Sequence, residues 1–352
     1  MAKASTSGRS AVTCSFVRQG FPTVIIENDH VRAEFIPSVG GKMISLKDQD
    51  TGYEFLLPSQ QPDGGYRQPL YAGTFEDYDT SGFDECFPTV EASAYPSMGE
   101  EPGHGAVVFP DHGELWSQPW DVRVSEDEIV LSARGVRWNY EFTKRIRLEG
   151  NRLQIGYTLV NRASSAFFVW SAHPLLEVSV GARIILPVSV KSMLLNSSSD
   201  DLFGKNGDIL SWPHLDSADP SMDYSIIPNR SAGVATKCFT DQLVEGSAAL
   251  YDPSADESFL FEFDPKHIPY LGIWLCYGGW PPSAEEKHFT VALEPCTGRP
   301  DSLEKAILRN ECQTIVPGAA RSWHLDVSLW KGLPAVVKDS RTFAFAHSVH
   351  PK

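Results

Sequence analysis

Tyr140-Glu141-Phe142-Thr143-Lys144-Arg145-Ile146-Arg147-Leu148 alternates apolar and polar residues along most of its length. A period of two puts every second side chain on one face, so the run reads as a half-buried antiparallel strand. Glu149-Gly150-Asn151 follows as a turn and leads into a second strand-like run over 152–161. Upstream, 120–124 and 128–134 have the same character, the first run extends back to 137, and 167–172 continues the series downstream. Strands that follow one another through short turns pair as antiparallel neighbours.

The rest of the chain extends this pattern. Short runs at 23–26, 31–35, 42–47 and 53–57 are divided by Asn-Asp, Gly-Gly and Thr-Gly turn signals. Further strands are expected at 182–186, 246–251, 259–263, 271–276, 289–293 and 321–329. Residues 64–110, rich in Gly, Pro, Asp and Tyr, show little periodicity and read as a functional loop region. A short turn at 302–308 is the one helix-like feature, and no repeat of 20–50 residues is present. Many antiparallel strands without helices must pack sheet on sheet to bury one face each. The fold class is therefore all-β, a large antiparallel β-sandwich. Residues 1–20 read as a flexible leader, 21–332 as a single β-sandwich domain and 333–352 as a C-terminal tail.

The chain has 352 residues, 45 acidic against 30 basic, for a formal net charge of −15. That balance argues against a nucleic-acid partner, which needs a basic face, and against adhesion to an anionic membrane. No apolar run approaches membrane-spanning length. Six scattered cysteines have no Cys-x-x-Cys spacing, so neither zinc nor a redox dithiol is signalled. Free thiols and no apolar export segment lead to an expected cytoplasmic location.

Four segments carry candidate chemistry. Asp84-Glu85 sits between aromatics in Ser81-Gly82-Phe83-Asp84-Glu85-Cys86-Phe87-Pro88-Thr89. Asp111-His112-Gly113-Glu114-Leu115-Trp116 holds a histidine in a turn sequence. Phe168-Val169-Trp170-Ser171-Ala172-His173-Pro174 brings an apolar strand to a histidine. His288-Phe289-Thr290-Val291-Ala292-Leu293 runs into Glu294-Pro295, after Trp274, Tyr277 and Trp280. Each has a structural reading: core histidine, Asx turn, loop cap, solvated acid, aromatic core filler. Together they supply acid–base groups, extra acids and flat aromatic faces suited to a pyranose ring. Nothing resembles a phosphate loop, a nucleophile elbow or a dinucleotide fingerprint.

In order and spacing these segments, with Val39-Gly40-Gly41-Lys42-Met43, resemble the aldose 1-epimerase (galactose mutarotase-like) family from about residue 24 to 330. The resemblance implies a β-sandwich of the supersandwich type, no metal, no organic cofactor and a small-molecule carbohydrate partner. It implies an isomerase that interconverts the α and β anomers of a free aldose. By position, His173 looks like the general acid, Glu294 like the general base, and His112 like the second histidine near the ring oxygen. Opening a hemiacetal needs such a set: a base takes the anomeric proton while an acid protonates the ring oxygen. All three should therefore line one pocket. Asp84, Glu85, Glu114, Trp170, Trp274, Arg67 and Asp208 are the candidates for substrate contact. Where the family has a Tyr-Phe pair after the acid histidine, this chain has Pro174-Leu175-Leu176. The alternatives are a non-catalytic carbohydrate-binding protein on the same fold, a lyase or glycosidase accessory domain, and a hexose-6-phosphate mutarotase. The last needs a cationic clamp, for which Arg67 and Arg299 are the candidates.

Overall fold

The alternating run becomes the ten-residue strand Tyr140–Glu149. It pairs along its whole length with Arg152–Asn161, Tyr140 opposite Asn161 and Glu149 opposite Arg152. Tyr140, Phe142, Ile146 and Leu148 are buried, as are Leu153, Ile155, Tyr157 and Leu159. The period of two thus turns one face of the hairpin to the core. Lys144 lies on that same inward face and is fully buried.

The computed structural model describes residues 10–95, 107–217, 219 and 221–334. Among them are two large antiparallel sheets of eleven and eight strands, packed as a sandwich. The larger sheet runs, in spatial order, Ala11–Arg18, Phe21–Glu27, Val31–Ile36, Lys42–Asp48, Phe83–Cys86, Ser171–Glu177, Phe289–Cys296, Tyr270–Tyr277, Val234–Thr240, Ser192–Ser198 and Ile209–Ser211. The smaller runs Arg183–Ile185, Ser247–Asp252, Glu257–Phe263, Ala320–Lys331, Arg152–Asn161, Tyr140–Glu149, Glu128–Arg134 and Asp121–Val124. Between them lies one extensive apolar cluster, including Phe83, Phe142, Leu271, Leu293 and Trp323.

A buried charge cluster joins the two sheets. Glu85, on the inward face of Phe83–Cys86, meets Lys144 of the other sheet at 2.9 Å. The Tyr157 hydroxyl and the Trp170 indole N–H donate to its two oxygens at 2.9 and 2.8 Å. The Lys144 ammonium also lies 5.6 and 5.3 Å from the ring centroids of Phe35 and Phe83.

Several expectations are corrected. Ala11–Arg18, expected in a leader, is an edge strand paired with Phe21–Glu27. Residues 53–57 form only isolated bridges. Residues 167–172 divide between two strands, Ala166–Phe168 and Ser171–Glu177, which belong to different sheets. The helix-like turn expected at 302–308, by contrast, is present as the short helix Leu303–Leu308, with Ser302 at its N-cap. Residues 1–9, 96–106 and 335–352, which hold parts of the expected leader, loop region and tail, lie outside the described residues.

Candidate active site

Three neighbouring strands of the larger sheet set the site. In Phe83–Cys86, Phe83 and Glu85 face the second sheet, so Asp84 faces the other way. Ser171–Glu177 pairs with it so that His173 is opposite Asp84. On its other side, Ser171 pairs with Cys296 and Leu175 with Ala292. That register puts Glu294 opposite His173, on the face turned away from the second sheet. His173 Nε2 lies 3.9 Å from Glu294 Oε1. Neither residue stands at a strand end, as expected from sequence: both are inside strands, and Phe289–Cys296 continues past Glu294.

The loop after Pro110 supplies the second histidine. His112 adopts φ +56 and Gly113 φ +74, and a Cβ on Gly113 would come within 2.1 Å of the Phe87 carbonyl oxygen. Only glycine fits so close a backbone approach. Asp111 Oδ1 lies 2.9 Å from His112 Nδ1, and Asp111 Oδ2 accepts the Phe75 backbone N–H at 2.9 Å. The Phe75 ring stacks on His112 with centroids 4.0 Å apart. His112 and His173 then stand edge to face, centroids 5.0 Å apart.

The sequence reading missed Lys237. It comes from Val234–Thr240, two strands from Glu294, and is 5% exposed. Its ammonium pairs with Glu294 Oε2 and lies 3.5 Å from Asp301 Oδ1. Asn196 donates to Asp301 Oδ2 at 2.9 Å. The available signal was a lysine inside the apolar strand Val-Ala-Thr-Lys-Cys-Phe-Thr, and Lys42 and Lys144 stand in strands of similar character.

Burial dominates the electrostatics. It raises the Glu294 carboxyl above the usual carboxylate range, against the pull of Lys237. Burial pushes His173 well below the ordinary histidine value, and the neighbouring His112, Lys237 and Lys42 add to the effect. Burial also opposes the charge on Lys237, but Asp301 and Glu294 outweigh it and hold the ammonium above its ordinary value.

These groups line one cavity of about 430 Å³. His173, Glu294, Lys237, Phe75, Asp111 and His112 line it together with Trp274, Trp280 and His288. Glu91, Asn196, Asp301 and Lys305 also line it. His112, His173, Glu294 and Trp274 are thus brought together. Aromatic faces beside convergent polar groups match what a sugar ring presents.

The other candidates lie elsewhere. Asp84 is fully buried beside His173, paired with Lys42 at 3.0 Å, and burial pushes its carboxyl up to about 6. Glu85 and Trp170 face inward and form the cross-sheet cluster, because the strand alternation turns them from the cavity. Glu114 is buried and accepts from the Tyr71 hydroxyl and the backbone N–H groups of Val136 and Arg137 at 2.6, 3.2 and 2.8 Å. Arg67 is exposed and paired with Asp63 at 3.6 Å. Asp208 is exposed and accepts the Lys205 N–H at 2.7 Å in a local turn. Arg299 is spent on the Thr240 carbonyl and on Asp241 and Glu311, at 2.6, 3.1 and 2.9 Å.

No protein-family model matches the chain. No curated protein matches it either. Solved structures do. A galactose mutarotase-like protein from Lactobacillus casei superposes with a TM-score of 0.62 at 18% identity, over 88% of this chain and 100% of that one. The chain has the galactose mutarotase-like fold. The Slr1438 protein of Synechocystis gives 0.66 at 17% identity, over 91% and 99%. An Escherichia coli protein named as a candidate aldose 1-epimerase gives 0.62 at 14% identity, over 91% and 99%.

Within this mutarotase-like fold, Cys86, His112 and His173 offer ligand atoms within 4.8 Å of one another. They fit a metal ion poorly. Burial raises the Cys86 thiol far above its ordinary value, helped by Glu294 and Asp84, so the thiolate a metal needs is disfavoured. The Lys42 and Lys237 ammonium groups that depress His173 oppose a further cation as well.

Proposed function

We propose that this chain is an aldose 1-epimerase-like mutarotase acting on a free sugar. The observation that supports it most is the 3.9 Å approach of the Glu294 carboxylate to the His173 imidazole in the cavity that His112 also lines. Glu294 Oε1 has no hydrogen-bond partner, which leaves it free to meet a sugar hydroxyl.

The sugar enters with one ring face against Trp274. Glu294 takes the proton of the anomeric hydroxyl as the C1–O1 bond becomes a carbonyl. The C1–ring-oxygen bond breaks, and the ring oxygen takes a proton from protonated His173. Rotation about C1–C2 turns the other aldehyde face to the C5 hydroxyl. Closure then returns one proton to O1 from Glu294 and one to His173 from the ring oxygen. Burial raises the basicity of Glu294 toward working pH, where a general base is most effective. His112, fixed by Asp111 and the Phe75 ring, borders the same atoms and donates a hydrogen bond to the ring oxygen or its neighbour.

The test is one-dimensional NMR or polarimetry on freshly dissolved α-aldoses. The protein is expected to accelerate anomer equilibration. Glu294→Gln should reduce that acceleration by about 10²–10⁴-fold while sugar binding persists. Binding without acceleration, across a panel of aldoses, would instead establish a non-catalytic carbohydrate-binding protein.

A further inference from the structure

Glu294 and Lys237 are not on adjacent strands. Tyr270–Tyr277 lies between theirs, and the residue directly opposite Glu294 on it is Gly272. Gly272 is opposite Phe239 on its other side, two residues beyond Lys237 on the same face. A Cβ on Gly272 would lie 3.2 Å from Lys237 Cε, 3.4 Å from Glu294 Cβ and 3.1 Å from the Phe239 ring. The lysine stem crosses the intervening strand through the space that a side chain at 272 would fill. Glycine weakens a strand interior and often marks a close approach by another group. The Gly272 backbone does not require glycine, having no positive φ. Its absent side chain is what matters.

The far end of the lysine is equally fixed. Asn196 holds Asp301 through both its amide N–H and its carbonyl, at 2.9 and 3.3 Å. Asp301 then sits 3.5 Å from the Lys237 ammonium. The ammonium and, at 3.4 Å, the Ser171 hydroxyl occupy Glu294 Oε2, while Oε1 remains unpartnered.

We propose that Lys237 is a positioning residue for the base: reaching across Gly272, it pins Glu294 Oε2 and presents Oε1 alone to the sugar and to His173. A free carboxylate can turn either oxygen to its target. This one has a single working oxygen, and a neighbouring cation keeps it ionised in a buried site. The ammonium does not act as an amine nucleophile, since Glu294 and Asp301 keep it protonated. The catalytic part of this inference rests on the mutarotase reading. The effect on the carboxylate does not.

The test combines two measurements on Lys237→Met and Gly272→Ala, with thermal melting to establish that each folds. The first is titration of the Glu294 carboxyl by 13C NMR, its resonance identified by loss in Glu294→Gln. Lys237→Met should move that titration upward by about 1–3 pH units. Gly272→Ala, which keeps the lysine but obstructs its path, should move it in the same direction by less, and serves alone if Lys237→Met does not fold. The second is the pH profile of mutarotation, whose acid limb should move upward with the carboxyl. A carboxyl titration unmoved in the folded variants overturns the proposal. A change in KM with an unmoved acid limb does so too, making Lys237 a sugar-binding group. If the wild type accelerates no aldose while the carboxyl titration moves as expected, the positioning stands and the mutarotase reading fails.

Discussion

At the residue scale, the general-acid role proposed for His173 carries an internal tension. A general acid must hold a proton, yet burial, with His112, Lys237 and Lys42 close by, pushes this imidazole well below its ordinary value of 6.5. The protonated, active fraction therefore falls as pH rises through a depressed value. The alkaline limb of kcat/KM is expected below pH 6.5, in pH-rate profiles of the free enzyme. A limb at or above that value would take the acid role away from His173. Trp274 calls for a different measurement. It meets Trp280 edge to face at 6.3 Å and lines the same cavity as His112. Trp274→Ala should raise KM about 3–10-fold with little change in kcat, because the ring face is used alike by ground and transition states.

At the element scale, the strands of the mutarotase-like fold were legible wherever one face is buried and the other wet. Glu128–Arg134 and Arg152–Asn161 have the bounds that alternation predicted. Strands buried on both faces, such as Ser171–Glu177, carry no such alternation, and their bounds were misjudged. The same gap hid the roles of Asp84 and Glu85. The two are adjacent in sequence, but the pleat sends one toward the cavity side and the other into the core. Which goes which way depends on pairing with distant strands. The Glu85–Lys144 pair gives this scale its prediction. Lys144→Met strands a buried carboxylate and should cost about 3–5 kcal/mol by denaturant melts. Adding Glu85→Gln to it should recover much of that loss, since the uncompensated charge is then gone.

At the scale of the whole molecule, charge narrows the sugar proposed as substrate. The chain is acidic overall, and the cavity is lined by Glu91, Asp111, Glu294 and Asp301 against Lys237 and Lys305. The two arginines that sequence nominated for a phosphate clamp are paired elsewhere. A hexose 6-phosphate should therefore react with kcat/KM at least about tenfold below that of the unphosphorylated hexose, because like charges brought together in a recessed site repel. Competition assays with both sugars at low and high salt would check this. A preference for the phosphate would require a cationic group other than Arg67, Arg299, Lys237 and Lys305 to reach the cavity.

The order of strands in the larger sheet sets a timetable for the chain. Phe83–Cys86, Ser171–Glu177 and Phe289–Cys296 are neighbours in space, yet long stretches of sequence separate them. The smaller sheet repeats the theme, since Ala320–Lys331, late in the chain, fits between Arg152–Asn161 and Glu257–Phe263. Pairings of such wide separation form slowly, because the ends of long loops must first meet. The histidine and the carboxylate thus come face to face only after the last third of the chain has joined the middle. During refolding from denaturant, catalytic competence should return later than the local hairpin of Tyr140–Glu149 and Arg152–Asn161.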